Sequence, residues 1–245
     1  MPSNFKIWGI KMKRTITLLL LSLVSLMGSC AQGDQFKKMT ADDIEVISQK
    51  LSRIKNVNQV VLKNVSSQDS YGESYSNDKG NYAITLIKYE NQNNYRINTT
   101  LFHNENDETT RTEKTAIYHD HKKIDEEEKT LDTYSEDKET FHNKYVISTS
   151  FTQTIFSGFT KGKTLSAEQK GWVPGDDVTL VDAIFYYSKD TKMSIALPSR
   201  TIVIDSIEKV TLLIHRDSGV FGKLSFYGKV DGIKSVIDAN MDFLF

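Results

Sequence analysis

Apolar and polar positions along the chain change period once. Ile44, Ile47, Leu51 and Ile54 recur at spacings of three, four and three, the stripe of one amphipathic helix over residues 41–55. Thr40 stands where an N-cap hydroxyl is wanted, and Asp42 and Asp43 put negative charge in the first turn, where the helix dipole favours it. Asn56 and Asn58 mark its end. Beyond them the period shortens to two. Residues 60–65 are a short β-branched run. Residues 66–80 are polar, with Gly72 and Gly80, and predict a long loop. Residues 82–89 and 95–103 both alternate, and Asn91-Gln92-Asn93-Asn94 between them predicts a hairpin turn. Residues 144–156 place Tyr145, Ile147, Phe151 and Ile155 on one strand face, and residues 202–204 and 210–215 predict two further short strands.

The C-terminal pattern is the most specific. In residues 223–230, Leu224, Phe226 and Val230 share a face; in residues 233–245, Ile233, Ile237, Ala239, Met241, Phe243 and Phe245 do. Asp231-Gly232 between them suits a two-residue type I′ turn, which needs positive φ at both positions. That turn sets Val230 opposite Ile233, Gly228 opposite Ser235, Phe226 opposite Ile237 and Leu224 opposite Ala239. A slip of one residue would break the agreement between pattern and turn. Residues 122–141 fit either period: Ile124, Leu131, Tyr134 and Phe141 suit a helix, whereas residues 118–124 resemble the turn of a long hairpin. Their strand-like neighbours favour strands. The whole predicts an α+β, β-dominated fold, in which the N-terminal helix packs its stripe on a large curved antiparallel sheet, open or closed into a barrel.

Composition narrows the function classes. The 245 residues hold 31 basic and 32 acidic side chains, so there is no electrostatic footprint for nucleic acid. One cysteine excludes a disulfide framework and a multi-thiolate zinc site. That cysteine, Cys30, follows Lys13-Arg14 and an apolar run from Ile16 to Met27 that is too short to span a bilayer core of roughly 30 Å. A basic start, an apolar stretch and small residues make a secretory signal, and Met27-Gly28-Ser29-Cys30 resembles the lipobox of bacterial lipoprotein precursors. The resemblance covers the signal alone. It implies cleavage before Cys30, a lipid on that residue and residence in the cell envelope. Cleavage after Ala31, giving plain secretion, is the alternative. Residues 1–11 read as an upstream extension, 1–29 as the signal, 30–39 as a lipidated tether and 40–245 as one β-rich domain. Loss of Lys6, Lys11, Lys13 and Arg14 with the signal takes the 31 basic residues to 27, a net charge of −5.

Each candidate site has an ordinary counterpart. His119 and His121 would share a strand face and could ligate zinc or copper, with His103 or His142 as third ligand. Asp120, Lys122 and Lys123 around them fit an exposed hairpin end instead. Asp125-Glu126-Glu127-Glu128 and Asp132, with Glu136, Asp137 and Glu139 beyond, lack the spacing and glycine of a calcium loop and read as a solvated charged face. Gly158 and Gly162 have three residues between them where a phosphate-binding loop needs four, so no nucleotide is expected. His215-Arg216-Asp217 cannot form a relay on a strand, because neighbours point opposite ways. Tyr82, Tyr89 and Tyr95, and the run Phe185-Tyr186-Tyr187, suit either a core or a stacking surface. Trp172 lies in a turn-rich segment. The terminal alternation to Phe245 resembles the last strand of outer-membrane β-barrel proteins, but charges such as Lys88 and Glu90 on earlier strands oppose a lipid-facing band.

No catalytic signature emerges and no cofactor is implied. The expectation is a lipid-anchored envelope protein that binds a partner protein or an apolar ligand without catalysis. The alternatives are an immunity-type lipoprotein that captures a toxin, and an exported hydrolase or metalloprotein built from scattered residues.

Overall fold

The computed structural model describes residues 36–38, 40–42, 44–45, 57–151, 164–170, 180–187, 191–215 and 221–241. Backbone contacts divide the chain into residues 1–36 and 37–245, and the second unit is described below. Outside the described residues lie the signal with Cys30, the Gly158–Gly162 segment, Trp172, Arg216, Asp217, Phe243 and Phe245. Most of the predicted helix lies there too. Its described residues 41, 42, 44 and 45 are helical, and the Ile44 amide donates to the Thr40 carbonyl at 3.2 Å, as Thr40 at the N-cap requires. Ile44 is buried in the main apolar cluster.

Among the described residues thirteen strands make one sheet. They are β1 (Phe36–Lys38), β2 (Val57–Asn64), β3 (Ser70–Ser76), β4 (Asn81–Tyr89), β5 (Tyr95–Glu105), β6 (Glu108–His119), β7 (Lys122–Ser135), β8 (Thr164–Lys170), β9 (Leu180–Tyr187), β10 (Met193–Ala196), β11 (Thr201–His215), β12 (Phe221–Val230) and β13 (Ile233–Met241). Helix α1 (Lys138–Tyr145) follows β7. The path is β1-β8-β9-β11-β12-β13-β2-β3-β4-β5-β6-β7, with β10 beside β11. It has two ends, so among the described residues the sheet is open and the closed-barrel alternative does not hold.

The core lies on one face because facing residues of antiparallel strands point the same way. One cross-strand row runs Phe185, Val210, Phe226, Ile237 and Leu62; the next runs Leu212, Leu224, Ala239 and Val60. All are buried except Leu62, which packs against the cluster from its edge. The β12–β13 hairpin has the register its turn chemistry predicts: Val230 faces Ile233, Gly228 faces Ser235, Phe226 faces Ile237 and Leu224 faces Ala239. Asp231 and Gly232 have φ of 51° and 74°. Ile233 departs from the expectation; at the hairpin end it is 48% exposed.

Three elements differ from the sequence reading. Residues 66–80 hold strand β3, because Tyr71, Glu73 and Tyr75 alternate inward; a carboxylate in the middle hides the pattern. Residues 122–141 contain both periods in succession, β7 and then α1. Asp137 caps that helix, its carboxylate accepting from the Thr140 amide at 2.9 Å and the Thr140 hydroxyl at 2.6 Å. Helix α1 therefore absorbs Tyr145; Ile155 and the rest of the expected strand lie outside the described residues, and residues 144–151 hold no strand. Within them Ile147 makes an isolated bridge to Val57, and Phe151 is helical. Finally, the two short strands over residues 202–215 are one, β11, whose two halves pair with β10 and β9.

Candidate functional site

The row Leu212, Leu224, Ala239, Val60 continues onto β3 at Glu73. A carboxylate thus stands in line with four buried aliphatic side chains, and it is 1% exposed. Burial of a charge is costly unless it is hydrogen-bonded. Glu73 meets that requirement with hydroxyl groups. The Tyr82 hydroxyl donates to Oε2 at 2.6 Å, and the Tyr71 and Ser199 hydroxyls both donate to Oε1. The Ser199 amide adds a longer bond to Oε2 at 3.4 Å. Tyr71 and Ser199 also lie within hydrogen-bond distance of each other. Among the described residues no cation pairs with Glu73; the nearby Arg200 guanidinium instead lies over the Tyr71 ring, 4.9 Å from its centroid. Burial, and then the Glu73 carboxylate, push both the Tyr71 and Tyr82 phenols well above their ordinary value.

This arrangement ties β3 and β4 to the turn between β10 and β11. Ser199 bonds the carboxylate with both its hydroxyl and its amide. The aromatic side of the node continues into α1, where Tyr82 stacks on Tyr145 at 4.4 Å. Beside it, the Lys144 ammonium donates to Glu136 Oε1 at 3.1 Å and lies over the Tyr145 ring at 4.9 Å. Desolvation opposes the Lys144 charge, but the Tyr145 hydroxyl and Glu136 outweigh it and raise the group. Burial and Tyr134 push Tyr145 up to about 12. Glu136 also accepts from the Thr109 hydroxyl at 2.9 Å, and Asn104 closes the network by donating to the Thr109 hydroxyl and the Glu136 carbonyl.

A second surface lies at the other end of the sheet. Twelve of the fourteen β7 residues are exposed, with only Leu131 and Tyr134 half-buried, so neither face of this end strand is covered by described residues. Leu131 and Ile124 fall at the two register slips between β6 and β7, and Ile124 is 63% exposed. Asp125, Glu127, Lys129 and Asp132 oppose Ile117, Thr115, Glu113 and Arg111 and share one face. On the opposite face Glu126 and Glu128 pair with Lys114 at 2.7 and 3.6 Å. Hydrogen bonds from Lys114 and Lys123 hold the Glu126 carboxyl below its ordinary value. That face also carries a cross-strand aromatic row. Tyr95 stacks on Tyr118 at 4.6 Å and meets Tyr89 at 5.1 Å, beside the aliphatic row Ile87, Ile97 and Ala116.

His119 ends β6, and His121 sits in the two-residue turn to β7 with φ of 60°. Both are exposed. His119 lies 3.4 Å from Asp120, and the His121 ring lies beside Tyr95. His103 faces Thr110, nine residues along β6 from His119 and so about 30 Å away. His142 bonds the Tyr75 hydroxyl at 2.7 Å. The four histidines do not converge, and among the described residues no group of three potential ligands does. A shallow cleft of about 410 Å³ between the Asp78–Gly80 and Asn104–Asp107 turns contains His103 and Lys138 but no apolar floor. Tyr82, Phe185 and Tyr187 belong to the core. The sequence reading missed Glu73 and Ser199. Its available signal was the period-two run Tyr71, Glu73, Tyr75.

No family model matches this sequence, and no curated protein matches it. Among solved structures, the chain aligns with an inactive mutant of the CurK dehydratase at 10% identity, over 87% of each chain, with a TM-score of 0.16. It aligns with the dehydratase domain from the CurK module of curacin polyketide synthase at 9% identity, over 84% of each chain, with a TM-score of 0.15. Alignments this loose carry no argument about fold or activity.

Proposed function

We propose that the chain is a lipid-anchored protein of the bacterial cell envelope that acts as a non-catalytic binding module, meeting a partner protein at the β5–β7 end of its sheet. The anchor rests on the lipobox-like Met27-Gly28-Ser29-Cys30, with the N-terminal helix packing its apolar stripe on the sheet beyond the tether. One observation carries the partner reading: β7 is fourteen residues long and contributes almost nothing to the core. A long exposed strand at the end of a sheet is a hazard that proteins manage with charge and bulges, and β7 has both. The same carboxylates that deter aggregation select a partner of opposite charge. Such a complex weakens as salt rises.

An immunity-type lipoprotein that captures a basic toxin is one form of this reading. An apolar ligand is the other occupant, and what favours it is the apolar underside of the β10–β11 hairpin, where Met193, Ile195, Leu197, Ile202 and Ile204 are buried. Labelled palmitate should enter the wild-type precursor and not Cys30→Ala; equal labelling of both would remove the anchor. Envelope protein retained by the full chain should be lost on charge reversal of β7. Retention unchanged by that reversal would remove the partner site.

A further inference from the structure

Strand β10 and the first four residues of β11 make a hairpin of their own. Met193, Ser194, Ile195 and Ala196 pair with Ile204, Val203, Ile202 and Thr201. Met193, Ile195, Leu197, Ile202 and Ile204 are buried on one side, while the residues between them are exposed. Between Ile204 and Lys209, β11 changes its neighbour on this flank from β10 to β9. Over the same interval its register against β12 slips twice. Gly228 stands at this bend: a Cβ there would lie 2.0 Å from the Ser206 carbonyl oxygen. At the far tip the Leu197 amide closes the turn on the Arg200 carbonyl at 2.8 Å, and Ser199 reaches Glu73. Strands β12, β13 and β2 separate β11 from β3 in the sheet, a distance of about 19 Å across a flat one. The tip meets Glu73 because the hairpin bends over the core face of a curled sheet.

We propose that residues 193–204 are a hinged flap, bent at the bulges beside Gly228 and latched shut by Ser199 on Glu73, which gates an apolar ligand's access to the core face. The latch explains why a carboxylate occupies the end of an aliphatic row. An apolar residue at position 73 would pack there but could hold neither the Ser199 hydroxyl nor its amide. One face of the flap is apolar and buried, and the other, with Ser194, Ala196, Thr201 and Val203, is already exposed, so it moves as a unit without stranding backbone groups of its own hairpin. The gating half of the proposal rests on the apolar-ligand form of the binding reading; the latch does not.

Hydrogen–deuterium exchange on the full-length protein tests the latch with Ser199→Ala and Ser199→Thr. Loss of a hydrogen bond to a carboxylate should speed exchange over residues 193–204 by roughly tenfold or more in Ser199→Ala, leaving residues 221–241 unchanged. Ser199→Thr, which keeps the hydroxyl, should match the wild type. Equal acceleration in both segments, or none, would overturn the latch. Fluorescence of N-phenyl-1-naphthylamine then tests the gate: Ser199→Ala should take up more dye than the wild type. Equal uptake beside local opening would overturn gating and leave the latch standing.

Discussion

The Ser206 carbonyl oxygen occupies space that any side chain on Gly228 would need, 2.0 Å from an ideal Cβ position. The contact is to backbone, so it cannot be relieved by a rotamer change. Gly228→Ala should therefore cost about 1–3 kcal/mol, as overpacking against a fixed neighbour does. A thermal melt checks this, and an unchanged midpoint would mean that β11 does not bulge there.

Among the described residues, three two-residue hairpin turns have both residues at positive φ: Asn106-Asp107, Asp120-His121 and Asp231-Gly232. Side chains strain this region by roughly 1–2 kcal/mol, and glycine does not. Gly232→Ala should destabilise the protein by about 1 kcal/mol, and His121→Gly should stabilise it by about 0.5–1 kcal/mol. Denaturant midpoints would report both. Loss of stability in His121→Gly would show that the imidazole has a role the turn does not explain.

Four buried or half-buried phenols, Tyr71, Tyr75, Tyr82 and Tyr145, are raised from an ordinary value of 10.0. A group raised in the folded state binds its proton more tightly there than when unfolded. The stability it contributes is complete below pH 10 and is lost as pH climbs through the folded values. Alkaline unfolding should thus begin above pH 10, with Tyr145 ionising near 12 in the folded protein. Lys144, raised likewise, adds to the same loss. Phenolate absorbance followed with pH should show these tyrosines titrating late or together with unfolding; early, normal titration would refute their burial.

At the acid end the sign reverses. Asp69 is lowered by its hydrogen bond from Lys88 and then by the Tyr89 amide, and Asp137 by the Thr140 hydroxyl and amide. Both are held below the ordinary value of 3.8, so their contribution is present above it and lost as pH falls through the folded values. Asp137→Ala, which removes the α1 cap, should lower the thermal midpoint at pH 7 and lower it less at a pH below the folded value of the carboxyl. A cost equal at both pH values would mean that the charge of the cap is immaterial.

Much of the sheet was legible where local chemistry and hydrophobic period agree. The β12–β13 register could be read because Asp-Gly turn chemistry and apolar alternation are both local. The β4–β5 turn was readable from its asparagines: Asn91 Oδ1 accepts from the Asn93 and Asn94 amides at 2.9 Å. Strand β3 was hidden because Glu73 looks polar in sequence, and the hydroxyls that permit its burial come from Tyr71, Tyr82 and Ser199, the last 126 residues away. Over residues 144–151 the expected strand failed because Phe141 and Tyr145, four apart, serve α1 better than Tyr145 and Ile147 serve a strand. The β7 surface was readable as a charged run, but its place at the end of the sheet follows from long-range pairing that no local pattern encodes.

The most direct test of the partner reading reverses the exposed charges of one β7 face, with Asp125, Glu127 and Asp132 all changed to Lys in the full-length protein. Exposed substitutions of this kind should leave stability within roughly 0.5 kcal/mol each. The account predicts that an envelope protein retained by the wild type at low salt is no longer retained by the triple variant. Undiminished retention by a folded triple variant would contradict it.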